Sequence, residues 1–305
     1  MRISTNTLYQ NGTTQITNLQ SDVAKLQQEI SSGKRIQSPS DDPVAASAAL
    51  EVSFNQSVNS KFADNRTAAT NKLNGLDTTL SSISDIMTAA QSSLVSAGNG
   101  TLSDTDRASI ATTLSQSLQQ LIGIANSKDA YGNYQFSGFK TQTQPFTATA
   151  SGATYNGDSN EQSIQVDSNT QITVSAAGNN VFQANGNDIF STLTNVINLL
   201  NTPATTAAAK TALTSGLATA STNLKTSVDN ILTIRSAVGS KLNEIDSLNS
   251  AGSSRDLQYT TTLSNLQDTD LVKAASDLSK QNTILQAAQQ SFVKTTSLSL
   301  FQYIN

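Results

Sequence analysis

Apolar residues near the start of the chain recur at alternating steps of three and four: Ile16, Leu19, Val23, Leu26 and Ile30. Near its end Leu271, Leu278, Leu285 and Phe292 recur every seven residues, with Ala274 and Ala288 between them. A 3.5-residue period describes a narrow seam that requires a second helix. The other faces are Ser, Thr, Gln and Asn, so each helix offers one apolar side. The pattern predicts that the first and last helices pair as a coiled-coil hairpin. Such a hairpin has too little core to be stable alone and needs neighbouring molecules.

The first helix should stop near Gly33. The stretch from Gly33 to Pro43 reads as a linker that ends in a helix start, with Asp42 placed as N-cap and Pro43 as the first helical residue. A long helix follows, from about Pro43 to Ala97, with the frame Leu73, Leu76, Leu80, Ile83, Met87, Ala90, Leu94. About 50 residues at 1.5 Å each make a rod of roughly 75 to 80 Å. Gly98-Asn99-Gly100 ends it. Ser103 and Asp106 form a capping-box pattern for a third helix, with Asp in place of the usual Glu. Its apolar face is Ile110, Leu114, Leu118, Leu121 and Ile124, and it should run to about Lys128.

The texture then changes. Tyr134, Phe136, Phe146, Tyr155, Ile164, Val166, Ile172 and Val174 fall in short alternating runs, and Asn156-Gly157 and Gly178-Asn179 are turn signals. Helix returns from Asp188 to Leu200, breaks near Pro203, and resumes on Leu217, Leu224, Ile231, Ile234, Val238, Ile245 and Leu248, continuing through Gly252. Asp268 and Asp270 precede the terminal helix and suit its dipole. The expected fold is mainly α with a small β-rich insert, an elongated nested helical rod. Residues 1–42 and 268–305 form a terminal coiled-coil domain. Residues 43–136 and 184–267 form a long helical bundle, and 137–183 a β-rich outer domain that should be removable with the rod still folding.

Composition fits this picture. Of 305 residues only 36% are hydrophobic and 5% aromatic, with no Trp, which argues against one large globular core. Charged residues are 13% and the net charge is -4, with no basic run, which argues against a nucleic-acid partner. There is no Cys and no His, so His bases, Cys nucleophiles and the usual zinc or haem ligands are missing together. No stretch approaches the ~20 apolar residues of a membrane span. Residues 1–6 lack the apolar region of a cleavable signal peptide.

Candidate chemistry is sparse. Asp41 and Asp42 could be a paired-carboxylate site, but Asp-Pro before a helix is a capping arrangement. Asp158-Ser159-Asn160-Glu161 lacks calcium-loop spacing and reads as a polar hairpin turn. Lys273, Asp277 and Lys280 read as solvated helix charges. No catalytic residue, cofactor or metal site is expected. The tail is different, since Leu298, Leu300, Phe301, Tyr303 and Ile304 crowd a terminus where exposure is the default. The candidate site is therefore an assembly interface: Ile16, Leu19, Val23, Leu26, Ile30, Leu271, Leu278, Leu285, Phe292, Leu298, Leu300, Phe301 and Ile304.

These residues also carry a resemblance. Met1-Arg2-Ile3-Ser4-Thr5 before a polar heptad helix is similar to the start of the flagellin superfamily. Ser32-Gly33-Lys34-Arg35-Ile36 followed by Pro39-Ser40-Asp41-Asp42-Pro43 resembles its linker, in the form found in hook-associated members. Tyr134-Gln135-Phe136-Ser137-Gly138-Phe139, Tyr155-Asn156-Gly157-Asp158 and the ending Ser297-Leu298-Ser299-Leu300-Phe301 fit the hook-filament junction members better than filament flagellin. The resemblance implies an extracellular structural protein of the bacterial flagellum, exported unfolded by the type III apparatus without a cleaved signal peptide. Its implied partners are other copies of itself in a ring, hook-associated protein 1, flagellin and an export chaperone on the C-terminal helix. The alternative it leaves is filament flagellin itself.

Overall fold

The computed structural model describes residues 5–297. It has seven α-helices and four short strands among these residues: α1 (Thr5–Ser32), α2 (Pro43–Ala97), α3 (Asp104–Ala125), β1 (Phe146–Thr149), β2 (Gly152–Tyr155), β3 (Ser163–Asp167), β4 (Thr170–Thr173), α4 (Gly178–Phe182), α5 (Ile189–Leu200), α6 (Ala207–Gln267) and α7 (Leu271–Ser297). The chain divides into two compact units, Met1–Val58 with Ser254–Asn305, and Asn59–Ser253.

The unit from Asn59 to Ser253 has one apolar core. The frame expected on α2 supplies it, with Leu73, Leu80, Ile83, Met87 and Ala90 fully buried. On α6 the residues at steps of seven, Leu217, Leu224, Ile231, Val238 and Ile245, are all buried, and Gly252 takes the next step. That strict interval is the spacing of a helix seated against another along its length. On α3 the buried stripe is Ala111, Leu114, Leu121 and Ala125. Ile110, Leu118 and Ile124 only pack against its edge. Leu114 and Leu121 keep the expected face, and Ala111 and Ala125 complete the stripe in place of Ile110, Leu118 and Ile124. The capping box at Ser103 and Asp106 is formed, with Ser103 Oγ accepting from Asp106 N at 3.2 Å.

Two side chains tie α2 to α6 in this unit. Arg66 is 1% exposed. Its Nε donates to Asn249 Oδ1 at 2.6 Å and its Nη1 to Val166 O, on β3, at 3.0 Å. Asn59 Nδ2 donates to Gly252 O at 2.9 Å. A Cβ on Gly252 would lie 2.5 Å from Arg66 Nη2, so a larger residue there would have to displace the guanidinium.

The strands form two separate antiparallel hairpins, β1–β2 and β3–β4. Three expectations change. Asn156-Gly157 follows β2 and is not the hairpin turn; the hairpins turn at Ala150-Ser151 and Ser168-Asn169. Gly178-Asn179 begins α4 instead of a turn. Helix α3 ends at Ala125, earlier than expected, because the Asn126 side chain leaves the helix direction and bonds both Phe146 N and Phe146 O at 2.9 Å. The β segment also shares the helical core. Phe146, Val166, Ile172, Val174 and Phe182 belong to the same apolar cluster as the buried residues of α2, α3 and α6. Phe146 lies 5.2 Å from Phe182 and 5.0 Å from Phe190 between ring centroids, and Phe136 lies 5.3 Å from Phe182.

Candidate assembly interface

The other unit holds α1, α7, the start of α2 and the end of α6. Its construction begins at the linker. Gly33 ends α1 with φ +70°, the left-handed region that favours glycine. The chain then pairs with the α6–α7 connection. Gly33 O accepts from Thr269 N at 2.9 Å, Arg35 N donates to Gln267 O at 2.7 Å, and Lys34 and Asp268 form an antiparallel bridge. The Arg35 guanidinium adds a bond to Leu266 O at 2.9 Å and an ion pair to Asp42 Oδ2 at 3.2 Å.

Asp41 and Asp42 both hold backbone. Asp42 Oδ1 accepts from Ala45 N at 3.0 Å and so caps α2. Asp41 Oδ2 accepts from Ser38 N at 2.9 Å and Gln37 N at 3.2 Å, while Oδ1 takes the Lys25 ammonium at 3.1 Å. The Ser38 amide, then Lys25 and the Gln37 amide, hold the Asp41 carboxyl down to about 2. The Ala45 amide and Arg35 likewise lower Asp42. A carboxylate bound to backbone donors is stabilised in its charged form. The pair is thus a turn and a cap. Asp158 does similar work elsewhere, accepting from Phe139 N at 3.1 Å and Asn160 N at 2.9 Å.

From this clamp α1 and α7 run antiparallel. Val23 on α1 and Ala274 on α7 are buried, at 8% and 5% exposure. Ile16, Leu19, Leu26 and Ile30 on α1, and Leu278, Leu285 and Phe292 on α7, are only half-buried. Leu271 stands off the seam at 52% exposure. Leu298, Leu300, Phe301 and Ile304 lie outside the described residues. At the far end of the pair the Tyr9 and Phe292 rings meet at 5.2 Å between centroids. The seam is therefore wet along most of its length.

The same unit exposes apolar side chains that the periodicity did not single out. Leu8, Tyr9, Val272, Ile284 and Val293 stand in solvent on α1 and α7. Leu50 and Phe54, 70% and 68% exposed, form an i, i+4 pair on α2, and Leu257 is exposed on α6. The i, i+4 spacing was the available signal for the α2 pair, but the regular frame of that helix starts only at Leu73. Large apolar groups left wet together on one unit are the kind of surface through which proteins associate.

The described residues offer little else. No group of three or more His, Cys, Asp or Glu could hold a metal ion, and no helix is long and apolar enough to cross a membrane. A cavity of about 680 Å³ in the other unit is lined mainly by aliphatic, Ser and Thr side chains, with Arg107 ion-paired to Asp104 at its edge.

Residues 3–141 match the bacterial flagellin N-terminal helical region. Flagellar hook-associated protein 3 of Escherichia coli (strain K12) is 37% identical over 316 aligned positions, covering 99% of both chains. The chain belongs to the flagellar hook-associated protein 3 family. Hook-associated protein 3 of Salmonella typhimurium (strain LT2) is similar to the same extent, 37% identical with 99% of both chains covered. The flagellar junction protein FlgL from Legionella pneumophila shares the fold, with a TM-score of 0.63 at 22% identity over 72% of this chain and 100% of that one. As a member of the hook-associated protein 3 family the chain is a structural component of the flagellum.

Proposed function

We propose that this chain is a subunit of the ring that joins hook-associated protein 1 to the flagellin filament. The observation that carries the reading is the unfinished terminal pair. Among the described residues of α1 and α7 only Val23 and Ala274 are buried, and every other position of both apolar rows stays half-wet or exposed. Membership in the hook-associated protein 3 family supports the same role.

In this reading the assembly surface comprises Ile16, Leu19, Val23, Leu26 and Ile30 with Leu271, Leu278, Leu285 and Phe292, extended by Leu298, Leu300, Phe301 and Ile304 of the tail. Neighbouring copies supply the walls the hairpin lacks. Residues 1–42 and 268–305 act as the inner domain, 43–136 with 184–267 as the bundle, and 137–183 as the outer part. The protein works outside the cell after type III export in an unfolded state, without a cleaved signal peptide. A chain without Cys cannot be obstructed by its own disulfides on that route. Before export a chaperone covers the C-terminal helix, whose apolar row would otherwise face the cytoplasm.

The second reading is filament flagellin, favoured by the match of residues 3–141 to the flagellin N-terminal region. Electron microscopy separates the two. A strain lacking this protein should carry hooks without filaments and release flagellin into the medium, and the purified protein should form no long tubes. Long tubes from the purified protein would move the assignment to flagellin.

A further inference from the structure

The charged residues that flank the seam follow a pattern. On α1 the order is Asp22, Lys25, Glu29: minus, plus, minus, at steps of three and four. On α7, counted backwards, the order is Lys280, Asp277, Lys273: plus, minus, plus, at the same steps of three and four. The structure fixes how these rows face each other. Lys34 bridges Asp268 at one end of the pair, and Tyr9 meets Phe292 at the other. Asp22 is twelve residues before Lys34 and Lys280 twelve after Asp268; the matching offsets are nine for Lys25 and Asp277, and five for Glu29 and Lys273. Each residue thus sits level with a residue of opposite charge. Asp22, Lys25, Glu29, Asp277 and Lys280 line one groove between the helices, about 520 Å³ in volume, whose apolar lining is Leu26 and Ile284.

We infer that these six charges are a self-recognition code that selects pairing of α1 with α7 over pairing of like helices. The signs select the partner. Two α1 helices, or two α7 helices, laid side by side in register oppose like charges at every step. Direction is set by the backbone clamp, where Lys34 bridges Asp268 and Arg35 N donates to Gln267 O. The apolar seam separates like from unlike helices less sharply, since apart from Phe292 its rows are aliphatic side chains. None of the three facing pairs is closed to ion-pair distance; Lys25 is taken by Asp41 at 3.1 Å. The charges therefore act as rim groups, steering pairing at a distance within the Debye length. The inference rests on the reading of α1 and α7 as the assembly element, and gives that element its specificity: homotypic contacts between copies are disfavoured while the helices find each other.

The test uses the full chain, which has no native Cys. Tyr9→Cys with Phe292→Cys reports pairing as an intramolecular disulfide in dilute, mildly oxidising solution. In this background Asp22→Lys with Glu29→Lys should lower the intramolecular yield roughly tenfold at low salt and raise disulfide-linked dimers. Adding Lys273→Glu with Lys280→Glu should restore the yield. Lys25 and Asp277 stay unchanged, so the bond to Asp41 is kept in every variant. Equal yields in all three proteins at low salt would overturn the code. A fourfold variant no better than the α1 variant would overturn it too. Restored pairing in a variant that forms no junction would leave the code standing and remove the assembly reading instead.

Discussion

Arg66 is where single-residue chemistry most constrains the molecule. Its guanidinium reaches Asn249 and Val166 from α2, and Gly252 leaves the space for it. Gly252→Ala would force a methyl into that space. Overpacking of this kind costs roughly 1 to 3 kcal/mol, and a thermal melt of the variant should fall accordingly. An unchanged melt would show that the guanidinium yields freely. Asp41 makes a second prediction. Its folded-state carboxyl titrates near 2 against an ordinary 3.8. The folded value is the lower one, so its contribution is complete above about pH 4 and disappears as pH falls through about 2. Limited proteolysis of the Gly33–Asp42 linker should rise across that interval, and Asp41→Asn should show the raised cleavage already at neutral pH. A wild-type linker equally resistant at pH 2 and pH 6 would remove the role given to this carboxylate.

At the scale of elements the two apolar frames differ in what they bury. Leu80 on α2 is fully buried, whereas Leu285 on α7 is only half-buried. Leu80→Asp should destabilise the free chain by several kcal/mol, since it leaves an unpaired charge in a dry core. Leu285→Asp should cost the free chain roughly 1 kcal/mol or less and act mainly on assembly. Melts and incorporation assays on both variants check this; equal losses of melting temperature would contradict the division. The β segment behaves differently from its texture in the sequence. Deleting 137–183 takes Phe146 and Phe182 from the core and strips Phe136 and Phe190 of ring partners. The shortened chain should melt roughly 10 °C or more lower. A melt unchanged from the full chain would make the segment independent of the helices.

At the scale of the whole molecule the helices were legible because their signals are local. Heptad steps, the Ser103–Asp106 box, the Asp42-Pro43 start and the stop at Gly33 each depend on neighbours within a turn or two, and each is found in the structure. The strands were legible, with Phe146, Tyr155, Ile164, Val166 and Ile172 all in them, but their turns were not, because Asn156-Gly157 offers a turn wherever it falls and the hairpins turn at other residues. Arg66 with Gly252 was not legible at all. It joins residues nearly two hundred positions apart, and an Arg in a helix ordinarily reads as solvated. Nor could periodicity find Leu50 and Phe54, which stand outside any long frame. The candidate site was visible as two narrow seams, and their shared charge register became visible only once Lys34 and Asp268 fixed their alignment.

The central claim is that α1 and α7 are completed by other subunits. Amide hydrogen exchange, measured on the dilute chain and on the chain assembled at the hook end, tests it most directly. The account predicts weak protection throughout α1 and α7 in the dilute chain, strong protection of the same amides after assembly, and little change at Leu73–Leu94. Strong protection of both terminal helices in the dilute chain would contradict it.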